Sequence, residues 1–443
     1  MRAISLLLLG LPGLVHAGPE VNGYIETYLK YWVHGGSGGW TWNENRLQIQ
    51  LEGNPSEALH YYAELRLRGF GFPRASSVGE LGEKEGVFPW GVEIRELYAD
   101  IYGLLHPDLD LRVGRQVVAW GTADRLNPTS NISPYDLEDF LDLGERLGVD
   151  ALRARFSAEP WSVEVDFVPM FTPSVFPPPE WSGAFLGSLK LPQGLRNLKD
   201  ILELPSKKLS ESSEAAFKVS TILGGWDLSL SYFQGRDLLP ILTYLEVVPV
   251  DTLGNVDVEV RSCFPKVRVV GGDFSGSLFK LGVWGEGALF FPEDVVLTKV
   301  QPGPPGAPVR TDSTLLSSDR PYFRYVLGGD YTFSDGTYLN FQYIHGLFHE
   351  RGEDLEDYFT LRVERTFLNG ELKLSPLTLT ATVSDWEAPR ENWGAAWIPE
   401  VVYTPVDNLE LKLGALVLCG KGENIFSQLK ERDEVYLRFK VSF

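Results

Sequence analysis

The sequence predicts an all-β protein, a transmembrane antiparallel up-and-down β-barrel of about eighteen strands. Three observations predict this fold. Short segments alternate apolar and polar residues along the chain, the connections between them alternate short and long, and no segment after residue 17 has the run of about 20 apolar residues that a membrane helix needs. Only helices and closed barrels satisfy every backbone hydrogen bond in lipid, so a chain of this kind that crosses a membrane has to be a barrel.

The alternation has a period of two residues, which is typical of a strand with one apolar face. In the stretch NRLQIQLEG, for example, Leu47, Ile49 and Leu51 fall on one face, while Arg46 and Gln48 fall on the other. The final stretch, VYLRFKVSF, has the same pattern. Charged residues on the polar faces are unsuited to the interior of a soluble sandwich but suited to a water-filled lumen.

The strands and their connections predict the topology. After even-numbered strands the connections are tight turns, and after most odd-numbered strands they are long loops, so both termini lie at the end of the short turns. A count of sixteen strands is the alternative, since residues 237–262 and the stretch FLNGEL are ambiguous. The predicted strand centres lie near residues 26, 47, 65, 96, 114, 152, 166, 218, 231, 269, 283, 327, 342, 364, 381, 400, 413 and 438.

The first seventeen residues predict a secretory signal peptide. Arg2 precedes an apolar run from Ile4 to Val15, and small or neutral residues follow up to a predicted cleavage site near Ala17. Residues 18–443 are then a single barrel domain. Loss of Arg2 takes the formal net charge from −20 to −21, which argues against nucleic acid as a partner.

Tryptophans predict an aromatic girdle at one rim of the barrel. They cluster at the strand ends that adjoin the long loops, where a membrane interface would lie. The residues concerned are Trp32, Trp40, Trp42, Trp120, Trp284, Trp386, Trp393 and Trp397.

The signal peptide, the alternating strands and the last strand that closes on Phe443 resemble Gram-negative outer-membrane β-barrel proteins. The resemblance implies an outer-membrane location with periplasmic termini, contact with lipid and lipopolysaccharide, and a terminal aromatic, Phe443, that the barrel-assembly machinery reads. The stretch RVGRQVVAWGTADRLNPTSNISPYDL, from Arg112 to Leu137, further resembles a GRQ…WG…NP segment of poorly characterised porin-like families.

A loop of about residues 120–148 follows the fifth strand. In general porins the third extracellular loop folds into the barrel and narrows it, and the resemblance implies the same here. This loop is rich in acidic residues that could line a constriction, namely Asp124, Asp136, Glu138, Asp139 and Asp142.

Arginines on the polar faces of neighbouring strands predict a cationic patch on one wall of the lumen, because adjacent strands lie about 5 Å apart. A cationic wall opposite an acidic loop would create a transverse field that selects solutes by charge. Alternatively, arginine and glutamate pair across strands and only stiffen the wall. The wall residues are Arg46, Arg66, Arg68, Arg95, Arg112, Arg153 and Arg155, with Glu64 among them.

Other candidate sites are weaker. His345 and His349 lie about 13 Å apart if both are in one strand, which is too far for a shared metal, so neither a metal nor a cofactor is predicted. Free thiols are favoured over a disulfide for Cys263 and Cys419. No nucleophile with an adjacent base can be identified, so the chain is predicted not to be an enzyme.

These observations predict an outer-membrane porin or channel for passive diffusion of small polar or anionic solutes. Eighteen strands leave room for an aqueous channel. The alternatives are a barrel that exports an anionic polysaccharide and an outer-membrane enzyme. The sequence leaves the oligomeric state open.

Overall fold

The computed structural model describes residues 18–33, 38–183, 194–251, 255–301, 310–317 and 320–443. The predicted signal peptide lies outside the described residues. The described chain consists mainly of β-strands, which are β1 Glu20–Trp32, β2 Gly39–Ser56, β3 Leu59–Phe70, β4 Trp90–Ile101, β5 Leu109–Gln116, β6 Val149–Ala158, β7 Trp161–Val168, β8 Leu195–Glu203, β9 Glu214–Leu223, β10 Trp226–Arg236, β11 Ile241–Pro249, β12 Val256–Cys263, β13 Lys266–Leu278, β14 Leu281–Pro292, β15 Val295–Gln301, β16 Arg310–Ser317, β17 Tyr322–Thr332, β18 Tyr338–His345, β19 Asp357–Phe367, β20 Leu372–Val383, β21 Trp393–Trp397, β22 Glu400–Val406, β23 Leu409–Lys421 and β24 Glu434–Ser442.

The larger of two sheets closes on itself. Each of its strands pairs antiparallel with its neighbours in chain order once β8, β11, β12, β15 and β16 are set aside. The first and last strands complete the ring, with Tyr24 opposite Ser442. The backbone N–H of Gly23 donates to the carbonyl of Phe443 at 3.0 Å, and Phe443 N–H donates back at 2.9 Å. A closed ring leaves no unpaired edge to face lipid.

The barrel has eighteen strands among the described residues, because β21 and β22 are two halves of one strand. Both halves pair with β20 on one side and with β23 on the other. Ile398 and Pro399 separate them, and Pro399 has no N–H to donate to the ladder. Each predicted strand centre falls within one of these strands, and the alternative count of sixteen is wrong.

A second sheet is built from three of the long connections. Its strands lie in the order β16, β15, β11, β12 and β8. Two of its pairings are parallel, β11 with β15 and β12 with β8, so strands from different loops meet side by side. The sequence analysis treated these stretches as loops. β11 with β12 and β15 with β16 form local antiparallel pairs, but the parallel pairings that complete the sheet join strands far apart in the chain.

Helices are short in the described part of the chain. None of them is long and apolar enough to span a membrane. The α-helices are α1 Lys84–Val87, α2 Pro179–Ser182, α3 Leu209–Ser212 and α4 Ile425–Gln428, and the 3-10 helices are Gly79–Gly82, Phe140–Asp142 and Leu368–Gly370.

Burial along the barrel strands is inverted relative to a soluble protein. On β3, Leu65 and Leu67 are 37% and 40% exposed, whereas Arg66 and Arg68 are only 5% and 7% exposed. The apolar side chains therefore point outward and the charged ones point into the lumen. This arrangement suits an apolar solvent outside and a polar interior.

The girdle prediction is wrong for Trp120 and Trp284, and also for Trp42, whose Nε1 donates to the buried Glu44 at 3.0 Å. Trp120 and Trp284 are buried, and they lie on the lumen side with Glu164 and Gln342 as their respective hydrogen-bond partners. In β14, Trp284 shares its face with the buried, lumen-facing Glu286. Proximity to a strand end did not reveal which face of the wall a side chain occupies.

Candidate functional site

The connection between β5 and β6, residues 117–148, lies inside the barrel and is called the lumen segment. A 3-10 turn within it, Phe140–Asp142, is capped by Asp139, whose Oδ1 accepts from the N–H of Leu141 at 2.9 Å. Apolar side chains of the segment are buried, namely Val118, Ile132, Leu137 and Leu141. The segment is thus packed into the interior with defined local structure.

The lumen segment begins with the residues of the GRQ…WG…NP stretch, and these fix its starting direction. Gln116 Nε2 donates to the carbonyl of Ala151 on the neighbouring strand at 3.1 Å. Trp120 Nε1 donates to Glu164 of β7 at 2.9 Å. Both side chains are buried, so these two hydrogen bonds hold the chain where it leaves the wall.

Glu286 of β14 anchors the next part of the segment. Its carboxylate accepts from Thr129 Oγ1 at 2.5 Å and from Asn127 Nδ2 at 2.8 Å. Gly121 has a φ of +95°, and a Cβ added there would lie 2.1 Å from Glu286 Oε2. Glycine is therefore favoured at Gly121 by its backbone conformation, and a side chain there would displace the Glu286 carboxylate from its position.

A second contact to this wall comes from Asp124. Its Oδ2 accepts from Asn340 Nδ2 at 2.9 Å and from Gln342 Nε2 at 3.0 Å, both on β18. Sequence reasoning placed Asp124 in the constriction but missed Asn340, Gln342 and Glu286. In the sequence these three residues are marked only by a position on the polar face of a strand, and many other residues share that feature.

The predicted arginine wall touches the segment from the opposite side. Arg66 Nη2 lies 2.9 Å from Glu145 Oε1, and Arg95 Nη2 lies 2.8 Å from the same atom. Arg95 Nη1 also donates to Asp136 at 2.8 Å. These are charge-assisted hydrogen bonds, the strongest class that side chains form.

Lys30 and Arg438 extend this side and were missed in the sequence analysis. Lys30 Nζ lies 2.5 Å from Asp139 Oδ1, while Arg438 Nη2 lies 3.2 Å from Asp139 and 2.6 Å from Asp142. The two cations lie on β1 and β24, which close the barrel. The alternation in both strands marked them as polar-face residues, but only ring closure brings Arg438 of β24 beside β1 and so onto this side.

The lumen segment therefore spans the barrel interior. The acidic residues between Asp136 and Glu145 bind β1, β3, β4 and β24 on one side, and residues 124–129 bind β14 and β18 on the other. In the closed strand order these two groups lie on opposite walls. The sequence predicted an acidic loop opposite an arginine wall. On the side of β3 and β4, the acids of the segment instead contact the arginines directly, so no open space separates the opposite charges there.

The remaining predicted residues pair along the wall itself. Glu64 accepts from Gln50 Nε2 at 2.8 Å and from Tyr62 OH at 2.9 Å. The arginine pairs are Arg46 with Glu44 at 3.1 Å, Arg112 with Asp100 at 2.6 Å, Arg153 with Asp166 at 3.0 Å and Arg155 with Glu164 at 2.5 Å.

Two acids of the segment respond differently to their surroundings. Burial alone would raise the pKa of Asp139, but the charges of Lys30 and Arg438 outweigh it and hold the pKa below its ordinary value. Burial raises the pKa of Glu138 in spite of its hydrogen bond from Arg68. Asp139 is therefore the more firmly ionised of the two anchors.

Other long loops pack against the lumen segment. Tyr135 and Phe348 have ring centroids 4.7 Å apart, and Phe140 stacks on Trp181 at 5.2 Å. The loop that carries Phe348 is joined to the loop after β10 by an ion pair, in which Arg351 Nε lies 2.7 Å from Asp237 Oδ2. Together these loops form an apolar cluster inside the long-loop end of the barrel.

Cavities lie on both sides of this filled region. One of about 300 Å³ opens at the long-loop end and is bordered by Phe140 and Trp181; we call it the mouth pocket. Another of about 660 Å³ lies at the short-turn end, bordered by Thr122 of the segment together with Lys218 and Asp273 of the wall. The lumen segment separates the two.

The histidine and cysteine candidates do not form a site. His345 pairs with Asp357 at 2.8 Å, and His349 is buried, where burial and nearby arginines lower its pKa to about 3. Within the described ranges, no cluster of three or more His, Cys, Asp or Glu residues could hold a metal ion. Both Cys263 and Cys419 are free thiols.

Among solved structures, the chain is similar to OccAB2 of Acinetobacter baumannii, with a TM-score of 0.53 and 9% identity over 97% of this chain and 99% of that chain. It is also similar to OmpF of Salmonella typhi in complex with daunomycin (TM-score 0.40, 9% identity, 96% and 97% coverage). OmpT of Vibrio cholerae, an outer membrane protein, gives a TM-score of 0.43 with 10% identity and 96% and 99% coverage. At such low identity the likeness to OccAB2 shows the fold alone, a porin-like barrel.

At the sequence level, no curated protein matches the chain. A family model described as "Protein of unknown function (DUF1302)" matches residues 56–434. The match extends from the end of β2 to the start of β24 and so includes most of the barrel together with the whole lumen segment.

Proposed function

The chain belongs to the DUF1302 family of proteins of unknown function, so its role has to be derived from the barrel itself, and we propose that it is an outer-membrane channel for small polar or anionic solutes. The observation that carries the proposal is the lumen segment. It is tethered to opposite walls of an eighteen-stranded barrel and separates a cavity at each end. An unobstructed barrel of this size holds an aqueous channel, and an infolded segment narrows it.

The proposal includes a location and an orientation. The barrel lies in the outer membrane with its termini and short turns in the periplasm and its long loops outside, after removal of the signal peptide near Ala17. The apolar outer face contacts lipid and lipopolysaccharide. The assembly machinery recognises the last strand through Phe443, whose backbone is bonded to Gly23 at the barrel seam.

The charge arrangement supports small solutes over long polyanions. Each of the seven predicted arginines is bonded to a carboxylate, so the positive charge along the wall is compensated locally. An exporter of anionic polysaccharide would use unpaired guanidinium groups to bind successive carboxylates. A small polar solute needs only a water-filled path, and an anion passes where the bonds between the segment and the wall open.

The test is single-channel current in planar lipid bilayers with the full mature chain, refolded and checked for the gel-mobility shift on heating that marks a folded barrel. We expect a steady, small conductance, because the segment fills much of the cross-section. A salt gradient gives the ion preference from the reversal potential. Liposome swelling with solutes of increasing size then gives the size limit.

Two results would count against the channel. Folded protein that carries no current, alone and after the segment has been released by substitution of its anchors, would refute it. Release of a product from a substrate panel by such non-conducting protein would instead support an enzyme. A reversal potential that strongly favours anions would show that the paired arginines still dominate the field.

A further inference from the structure

We propose that the mouth pocket binds a neutral ring that bears hydroxyl groups, as sugars do, and so selects the solutes that enter the channel. The inference rests on the proposed function for the role of the pocket in uptake. Binding itself is independent of conduction and can be tested without it.

Aromatic faces form much of the pocket wall. They belong to Trp32 at the end of β1, Trp42 at the start of β2, Phe72 after β3, and the stacked pair Phe140 and Trp181. Five parts of the chain, between Trp32 and Trp181, thus contribute rings to one small cavity. Such convergence of aromatic side chains is typical of ligand pockets.

The polar edges of two indoles are already used within the protein. Trp32 Nε1 donates to the carbonyl of Glu431 at 2.6 Å, and Trp42 Nε1 donates to Glu44 Oε2 at 3.0 Å. These bonds fix the orientation of the rings. Arg432 already lies over one face of Trp32 at 5.7 Å and Lys30 over one face of Trp42 at 4.9 Å, so a ligand would stack on the opposite faces. A preorganised flat apolar face suits stacking by another ring.

Charges of both signs line the same cavity. Lys30 and Arg432 contribute cations, while Glu138 and Glu434 contribute carboxylates. A ligand of either charge would be attracted by one pair and repelled by the other, so the cavity gives neither sign a clear advantage. A neutral ligand is repelled by neither pair.

Hydroxyl groups match these charges, because a hydroxyl both donates and accepts hydrogen bonds. Lys30 and Glu434 are only 5% and 3% exposed. Lys30 donates a hydrogen bond to Asp139, and Glu434 accepts one from Thr41. A purely apolar ligand would strip water from these two charged groups and give no hydrogen bond in return. The ligand class that satisfies the aromatic faces and both charges together is a polyhydroxylated ring.

The volume is consistent with a small ligand. A cavity of about 300 Å³ lies at the lower end of the range for small-molecule sites. The stacked Phe140 and Trp181 close its inner end, and Phe140 belongs to the lumen segment. A bound ring would therefore contact the element that separates the two ends of the lumen.

The experiment is isothermal titration calorimetry on the full mature chain in detergent micelles, with maltose as the probe and benzoate, benzylamine and cyclohexane-methanol as comparison ligands. We expect saturable binding of maltose and weaker binding of the other three. Trp32→Ala and Phe72→Ala should each weaken maltose binding about tenfold, since each removes one stacking face. Phe72 is partly exposed, so its substitution keeps the test valid if the Trp32 variant does not fold.

Trp386→Ala is the matched control, because Trp386 is an exposed tryptophan in a long loop but does not line the pocket. Its maltose affinity should equal that of the unmodified chain. The proposal is overturned if maltose does not bind, if benzoate or benzylamine binds more tightly, or if both pocket variants bind maltose normally. A chain that binds maltose but never conducts keeps the pocket and refutes the channel, whereas a conducting chain without maltose binding refutes the pocket alone.

Discussion

Arg68 of β3 and Glu138 of the lumen segment form an ion pair with 2.6 Å between Arg68 Nη1 and Glu138 Oε2. The same guanidinium lies 2.7 Å from Glu44 on β2 and 2.9 Å from Glu93 on β4. One arginine thus joins three adjacent strands to the segment inside the barrel. The position of the segment depends on the wall that surrounds it.

Removal of the charges on the segment should enlarge the channel. In a Glu138→Gln/Glu145→Gln double variant, the bonds to Arg66, Arg68 and Arg95 lose their ionic component. Each should weaken by about 1 kcal/mol, since the two glutamates are about one-third exposed. We expect a larger and noisier single-channel conductance than that of the unmodified chain.

The control for this variant is Arg362→Gln. Arg362 is a wall arginine of β19 that pairs with Glu364 of its own strand at 2.7 Å. Its substitution also removes a charge from the barrel, but the conductance should stay close to that of the unmodified chain. Equal conductance of the double variant and the unmodified chain would show that these ion pairs do not hold the segment.

Substitution of Gly121 should release the other side of the segment. In Gly121→Ala the new Cβ would meet Glu286 Oε2 at 2.1 Å, and the backbone has a φ of +95° that alanine rarely adopts. Strain of this kind costs about 1–3 kcal/mol. We expect increased conductance with the barrel still folded, measured by bilayer current and gel mobility.

Gly91→Ala serves as the control for that substitution, because a Cβ at Gly91 would meet nothing within 4 Å. Its current should match that of the unmodified chain. If Gly121→Ala conducts as the unmodified chain does, the approach of the segment to Glu286 has no part in narrowing the lumen.

The stability of the loop that carries Glu356 should depend on pH. Burial, and then the charge of Glu350, raise the pKa of Glu356 to about 7. A raised folded-state pKa means that its contribution to stability is fully present below about pH 4.5, the ordinary pKa of glutamate, and is lost as pH rises through about 7. The unfolding temperature should fall between pH 5 and pH 8.

Glu356→Gln should make this pH dependence shallower, because glutamine does not ionise. Glu353→Gln is the comparison, since the Glu353 side chain is 90% exposed and should leave the slope as it was. Heat-dependent gel mobility measures both. A slope that Glu356→Gln leaves unaltered would assign the pH dependence to other groups.

A charged residue on the outer face of the barrel should destabilise the protein in a bilayer. Leu413 of β23 is 52% exposed and lies opposite Leu437 of β24. Leu413→Arg should cost about 2–4 kcal/mol in the bilayer and lower the folded fraction recovered from urea into lipid vesicles. Lys412→Arg, one residue away on the lumen side, should fold normally, and equal recovery of both variants would mean that this face does not contact lipid.

The sequence by itself determined the strands and their two faces. All eighteen strands lie where the alternation put them, because a wall between lipid and a polar lumen imposes a period of two on every strand. The same alternation marked Arg66 and Arg68 as inward residues. A local pattern is sufficient for such features, since it repeats within a few residues.

Only the tertiary structure decided which side chains meet. Three contacts join residues far apart in the chain: Asp124 with β18, Thr129 with Glu286, and Lys30 with Asp139. The inward position of Trp284 also became clear only in the folded barrel. The second sheet likewise forms from loops that no short-range pattern relates. Closure of the barrel sets these distances, and closure is a property of the whole ring.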